Sequence, residues 1–299
     1  MDGLGGIALL SLAELVVVVF ALITVLGDGW FMLVGLSALC WAGPRIADDA
    51  RPVAAVVVGF ATLGLAVVLA LKSATAIPRP ATTPIDPTVL PAVIGPFVAG
   101  ELDASGFSFP SGHAVGSTVV YGGLGLLLTV GRRRLRYVIA ASAAILISLS
   151  RIVLEVHYPI DMLAGIGTGV ILLAVGVVVA TDGERYRPDR VFLLAGAGAL
   201  VGFAVALSAG HSREIQQGAI AIGTAAGGIV TWHRFGDQLR RCPAVSLPIG
   251  VLGLLTAGGL WISAYIGRLT LGSTMVASAA GVAVILLLPL VSQWLKKRR

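Results

Sequence analysis

The sequence predicts an all-α, polytopic integral membrane protein. Three observations predict it: 57% of the 299 residues are apolar, only 12% are charged, and the mean hydropathy is +0.96. A soluble domain carries about a quarter charged residues, so this composition excludes a soluble globular protein, a disordered chain and a collagen-like fibre. The net charge of +6 would suggest nucleic acid for a soluble chain. In a membrane chain, loop arginines record topology instead, and no nucleic-acid partner is expected.

About 20 apolar residues cross ~30 Å of hydrocarbon. Ten stretches qualify as candidates: 7–26, 29–46, 53–71, 112–130, 135–154, 159–181, 191–210, 215–232, 244–266 and 269–295. The first follows a glycine-rich start with no basic side chain and reads as a span, since a signal peptide has a basic leading region. The second is the weakest, being short and ending at Pro44-Arg45. With the Asp28 turn outside and the chain alternating, the inner loops hold 16 of the 21 basic residues. The positive-inside rule is met at every inner loop. Both termini are then cytoplasmic in a multi-pass cell-membrane protein. Cys40 and Cys242 have neither a partner nor metal-ligand spacing, and both read as inert.

The longest loop, 73–111, holds seven of the 14 prolines, and a loop of this length is functional or disordered. Its apolar middle, 89–99, argues against disorder and suits the membrane interface. Around it the outer face collects polar residues at every crossing: Lys72, Arg79-Pro80, Pro110-Ser111-Gly112-His113, Ser150-Arg151, His157 and Asp161. Taken singly, a lysine or arginine at a span end is a snorkelling anchor, and a serine at a helix start is a cap. Taken together they place three cations, two imidazoles and one carboxylate at one depth, where charge is costly and points to function.

That set suits phosphoryl transfer. Lys72, Arg79 and Arg151 can neutralise a phosphate. The start of the fourth span adds backbone N–H donors near Ser111 and Gly112. His157 and Asp161, four apart, are expected to share a helix face, so the carboxylate can fix the imidazole tautomer and free the other nitrogen to attack phosphorus. His113 is left to protonate the leaving oxygen. His211 and His233 read as solvated loop residues, and no cluster has zinc spacing.

The ordered set Lys72-x6-Arg79-Pro80, Pro110-Ser111-Gly112-His113 and Ser150-Arg151-x5-His157-x3-Asp161 resembles the three-part signature of the type 2 phosphatidic acid phosphatase superfamily. That family includes lipid phosphate phosphatases, polyprenyl diphosphate phosphatases, glucose-6-phosphatase and the vanadium haloperoxidases. The resemblance covers residues 1–181 and implies a six-helix catalytic core with no metal or other cofactor. It implies a phosphohistidine at His157 oriented by Asp161, and His113 as acid and then base. Lys72, Arg79, Ser111, Gly112 and Arg151 would hold the phosphoryl group. Glu155 departs from the pattern, because family members often have a small residue two places before the nucleophile; its plain reading is a solvated helix-end carboxylate.

Residues 191–295 fall outside the resemblance. They supply about four more spans with few polar groups, and Gly223-x3-Gly227 allows close helix packing. Packing or homo-oligomerisation is the simplest role for them. The leading expectation is a membrane lipid phosphatase acting on a polyprenyl or glycerolipid phosphate or diphosphate, with its site facing outside. A phosphatase or phosphotransferase for a soluble ester fits the same signature, and a non-catalytic lipid transporter is the alternative from a different class.

Overall fold

The structure is a computed structural model that describes residues 10–298. Its helices are α1 (Leu12–Val25), α2 (Gly29–Ala42), α3 (Ala50–Thr75), α4 (Gly95–Glu101), α5 (Gly112–Leu127), α6 (Arg133–Val153) and α7 (Pro159–Ala180). They continue as α8 (Pro188–Ala209), α9 (Ser212–Arg241), α10 (Leu247–Tyr265) and α11 (Leu271–Lys297). The all-α membrane architecture is as expected. The strand content among the described residues is a hairpin of β1 (Thr181–Asp182) and β2 (Arg185–Tyr186), turned at Gly183 with φ +62.

Ten of these helices fall where the sequence places its ten spans, although residues 7–9 of the first lie outside the described residues. Fewer qualify as crossings on their own. Six (α3, α6, α7, α8, α10 and α11) are long and apolar enough, and α1 with α2 qualifies as a pair bent by 46°. The expected span 112–130 is shortened to the 16 residues of α5. Helix α9 runs 30 residues, far past the expected 215–232, because polar residues extend it at both ends.

The eleventh helix, α4, lies in the long loop. Its Val98 and the flanking Leu90 and Leu102 are buried with Val17 and Ala21 of α1 and with Leu154 and Val156. The loop's apolar middle therefore packs on α1, with Val93 left outward at 81% exposure.

Helix α3 is the axis of the bundle, and it is buried along most of its length. Glycines let its neighbours approach. A Cβ on Gly202 of α8 would meet the Ala66 carbonyl oxygen at 2.6 Å, and one on Gly176 of α7 would meet Phe60 at 2.5 Å. The expected Gly223-x3-Gly227 contact is made within this chain: Cβ atoms there would collide with the Met275 and Ala279 carbonyl oxygens of α11.

The first seven helices and the last four are fastened at the end away from the candidate site. Pro289 inside α11 has no N–H, which frees the Ile285 carbonyl. Trp41 Nε1 of α2 donates to that oxygen at 2.8 Å. Arg51 is 1% exposed and donates to the carbonyls of Cys40, Leu239, Cys242 and Pro243 at 2.6–3.1 Å. The C-terminal ends of α2 and α9 thus both point their partial negative charge at one guanidinium. Cys40 and Cys242 are free and buried.

Candidate active site

At the other end of the bundle, α3, α5, α6 and α7 bring the predicted residues together. Helix α6 closes with a Schellman turn, in which Val156 N–H donates to Arg151 O (3.1 Å) and Glu155 N–H to Ile152 O (2.9 Å). Glu155 occupies the left-handed position of that turn at φ +56. This is where glycine is favoured, so a small residue there has a backbone reason. Glu155 is also half-buried, not solvated as expected. The turn then delivers His157, whose N–H donates to Arg151 O at 3.2 Å.

His157 precedes α7 instead of lying on it, which corrects the expected shared helix face. Asp161 sits in the first turn of α7 and folds back, accepting Tyr158 N–H at 2.9 Å through Oδ2. The same oxygen lies 3.3 Å from His157 Nδ1. The pairing is reached through the helix-entry turn. His157 is 3% exposed and Asp161 1%.

A third partner was not visible in the sequence. Ser108 is fully buried, donates to Asp161 Oδ2 and lies 3.3 Å from His157 Nδ1. Its backbone N–H is held by Ile77 O at 2.8 Å, which ties it to the strand-like start of the loop that carries Arg79. A small polar residue two places before Pro110 was the available signal, and it is a weak one.

The imidazole of His157 is held well below its ordinary pKa, first by burial and then by Arg79, Lys72, Arg151 and His113. It is therefore neutral at physiological pH, with Nδ1 turned to Asp161 and Nε2 left for another partner. Arg79 is also pushed down by burial, against the opposing pull of Asp103. The Nε atoms of Arg79 and Arg151 are buried and have no partner among the described residues. Buried guanidinium N–H groups are normally bonded, so these two donors are unspent. Arg151 otherwise donates to Thr24 Oγ1 at 2.8 Å and faces Glu101 at 3.5 Å. The Glu101 carboxyl is pushed up by burial and by the neighbouring Asp28, against the pull of Arg151.

Ser111 caps α5, accepting Ala114 N–H at 3.4 Å, and its own N–H is taken by Asp161 O at 3.1 Å. The start of α5 is thereby bolted to the start of α7. The Ser111 O–H can still donate, and the amides of Gly112 and His113 have no acceptor among the described residues. His113 Nε2 lies 3.1 Å from Asp28 Oδ1.

The C-terminal helices also reach this end. The His211 ring is 4.5 Å from that of Phe107, and its Nδ1 is buried without a partner among the described residues, unlike the solvated residue expected. His233 is exposed, as expected, but it lies within α9 and not in a loop. Arg213 donates to Ser105 Oγ at 2.8 Å, and Arg213 and the buried Glu214 both act electrostatically on Lys72. No group of three or more His, Cys, Asp or Glu gathers at metal-binding range among the described residues.

The fold and this end of the bundle define a helical membrane protein with a carboxylate-held histidine set among three cations. The family model described as PAP2 superfamily matches residues 52–185, a stretch that contains every signature residue from Lys72 to Asp161. Over that stretch the chain is similar to that superfamily. Phosphatidylglycerophosphatase B of Bacillus subtilis (strain 168) is 33% identical over 85 residues, covering 26% of this chain and 42% of that relative. The chain thus matches less than half the length of that relative. No solved structure gives a significant match.

Proposed function

We propose that the chain is a membrane-embedded lipid phosphatase that works through a phosphohistidine without a metal. The observation that carries this reading is His157: a buried imidazole with Nδ1 at Asp161 and Ser108, in the field of Lys72, Arg79, Arg151 and His113. Nε2 attacks phosphorus, the bond from phosphorus to the lipid oxygen breaks, and His113 gives that oxygen its proton. His113 then takes a proton from water, which attacks phosphorus. The P–N bond breaks and inorganic phosphate leaves. Lys72, the free N–H groups of Arg79 and Arg151, the Ser111 hydroxyl and the Gly112 amide hold the phosphoryl oxygens as charge builds on them.

The PAP2 match and the phosphatidylglycerophosphatase relative support a lipid phosphate as substrate, with a polyprenyl or glycerolipid phosphate or diphosphate as the class. Residues 1–181 are the catalytic unit in this reading. Residues 191–295 brace it, and their α9 start borders the site. The site faces the extracytoplasmic side.

The test is phosphate release by purified protein in detergent and EDTA from phosphatidylglycerophosphate, phosphatidate, a polyprenyl diphosphate and a soluble sugar phosphate. Release from one or more lipids without added metal is expected, with the soluble ester turned over at least tenfold more slowly. Activity restored only by Mg²⁺, preference for the soluble ester, or no release from any substrate overturns the reading.

A further inference from the structure

We propose that Asp28 is the positioning residue of His113, so that the site holds two carboxylate–imidazole pairs: Asp161 for the nucleophile and Asp28 for the acid and base. The proposal rests on the acid–base reading of His113. Asp28 lies outside the stretch that matches the PAP2 family model, 85 residues before its partner.

The α1–α2 turn is built to make this contact. Asp28 stands at the N-cap of α2, where an aspartate ordinarily accepts a bond from its own helix. Its side chain makes no such bond. Oδ1 goes to His113 Nε2 at 3.1 Å, and Oδ2 accepts Trp30 Nε1 at 3.0 Å. The preceding Gly27 is pressed against the ring, since a Cβ there would sit 2.7 Å from His113 Cδ2 and 2.5 Å from Ile147 Cγ2. Tyr121 of α5 donates to Leu26 O at 2.7 Å and fastens the same turn. A cap that forgoes its own helix, on a turn where only glycine fits, has its carboxylate placed for the imidazole.

The consequence is a defined tautomer. A carboxylate only accepts, so Nε2 carries the proton and Nδ1 keeps its lone pair. Nδ1 makes no hydrogen bond among the described residues. It is therefore the atom that carries the transferable proton: in the imidazolium it donates to the leaving oxygen, and with its lone pair restored it takes a proton from the attacking water.

Trp30 makes the proposal unusually testable. Indole N–H only donates. In Asp28→Asn it claims the new side-chain oxygen, so the NH₂ group faces His113 and donates to Nε2. The imidazole is driven to the opposite tautomer and loses its base at Nδ1. Asp28→Asn should therefore still release the phenol of an aryl phosphate in one rapid turnover, since that leaving group needs little protonation. It should then stall as phosphohistidine, with steady-state turnover about 100-fold down, within the range of general acid–base effects, and KM within about twofold. Adding Trp30→Phe frees the amide to rotate its oxygen to Nε2–H, and should return about tenfold of the loss.

The ratio of burst to steady state is read on one preparation, so incomplete folding does not mimic it. Equal loss of burst and steady state, or no rescue by Trp30→Phe, sinks the proposal. An independent reading is the ¹⁵N shift of the neutral His113 ring, taken on the high-pH side of its titration in histidine-labelled protein: Nε2–H in wild type, Nδ1–H in Asp28→Asn. Mixed tautomers in wild type overturn the proposal even if no substrate is found. Failure of wild type to release any phosphate, with the tautomers as stated, overturns the proposed function and leaves the pairing standing.

Discussion

The two ends of the bundle each bury an arginine, and the two are used in opposite ways. Every guanidinium nitrogen of Arg51 has a partner: four backbone carbonyls from α2 and the α9 terminus take four of its five N–H donors, with no carboxylate among those partners. Arg151 is 5% exposed, yet its Nε has no partner among the described residues, and its contact to Glu101 is a loose 3.5 Å. Burial alone does not distinguish a staple from a ligand-binding residue. The count of unspent donors does, because an unpaired buried N–H is costly unless something arrives to bond it.

The largest effect that can break this contrast is all-or-none. In the orientation proposed from the positive-inside distribution, the Arg51 end is cytoplasmic and the Arg151 end is outside. A cysteine introduced at Thr82 should react with an impermeant reagent in intact cells, and one introduced at Arg133 should react only after lysis. The reverse pattern puts the site in the cytoplasm and removes the extracytoplasmic reading.

The next effect separates the arginines themselves. Arg151→Ala should cut turnover about a thousandfold, the scale of losing a preorganised charge donor, while changing thermal unfolding little. Arg51→Ala takes its donors from the Cys40, Cys242 and Pro243 carbonyls, each worth about 1–3 kcal/mol when left without a donor, while Leu239 O keeps the Cys242 N–H. It should therefore lower the unfolding temperature sharply while turnover per folded molecule is kept. Arg51→Lys should not restore stability, since three ammonium protons on one point cannot span partners on two helices. Loss of turnover per folded molecule in Arg51→Ala, measured beside a chemical-unfolding curve, would erase the distinction.

The same contrast explains what was legible in the sequence. The helices and the signature residues were readable because they depend on short spacings: 20-residue apolar runs, Arg79-Pro80, Ser111-Gly112-His113, and His157 four before Asp161. Arg51 was readable only as a topology marker, because its partners lie 188 to 192 residues away as well as on α2. Asp28 at His113 and Ser108 at Asp161 were hidden for the same reason: neither pairing has a periodicity that sequence can carry. The C-terminal spans looked featureless because Arg213 and Glu214 sit at a loop-to-helix junction. Only folding brings that junction beside Lys72. His157 was misplaced onto a helix because a spacing of four is also met by a helix-entry turn.

The smallest effect concerns that turn. Glu155 holds φ +56 at the close of α6, a conformation costing a side-chain-bearing residue about 1 kcal/mol or more. The turn is worth that cost to the site, since its two hydrogen bonds set the path from Arg151 to His157. If the cost is purely a matter of backbone, Glu155→Gly should stabilise the protein by about 1 kcal/mol, and Glu155→Ala, which keeps a Cβ, should not. Both should leave turnover within about twofold, because neither alters the hydrogen bonds of the turn. The check is a pair of unfolding curves with turnover measured on the same samples. A matching gain from alanine would mean that the carboxylate itself is the burden. A fall in turnover for both would mean that the carboxylate acts on the chemistry, and Glu155 would then belong with Arg151 among the unspent groups at this end of the bundle.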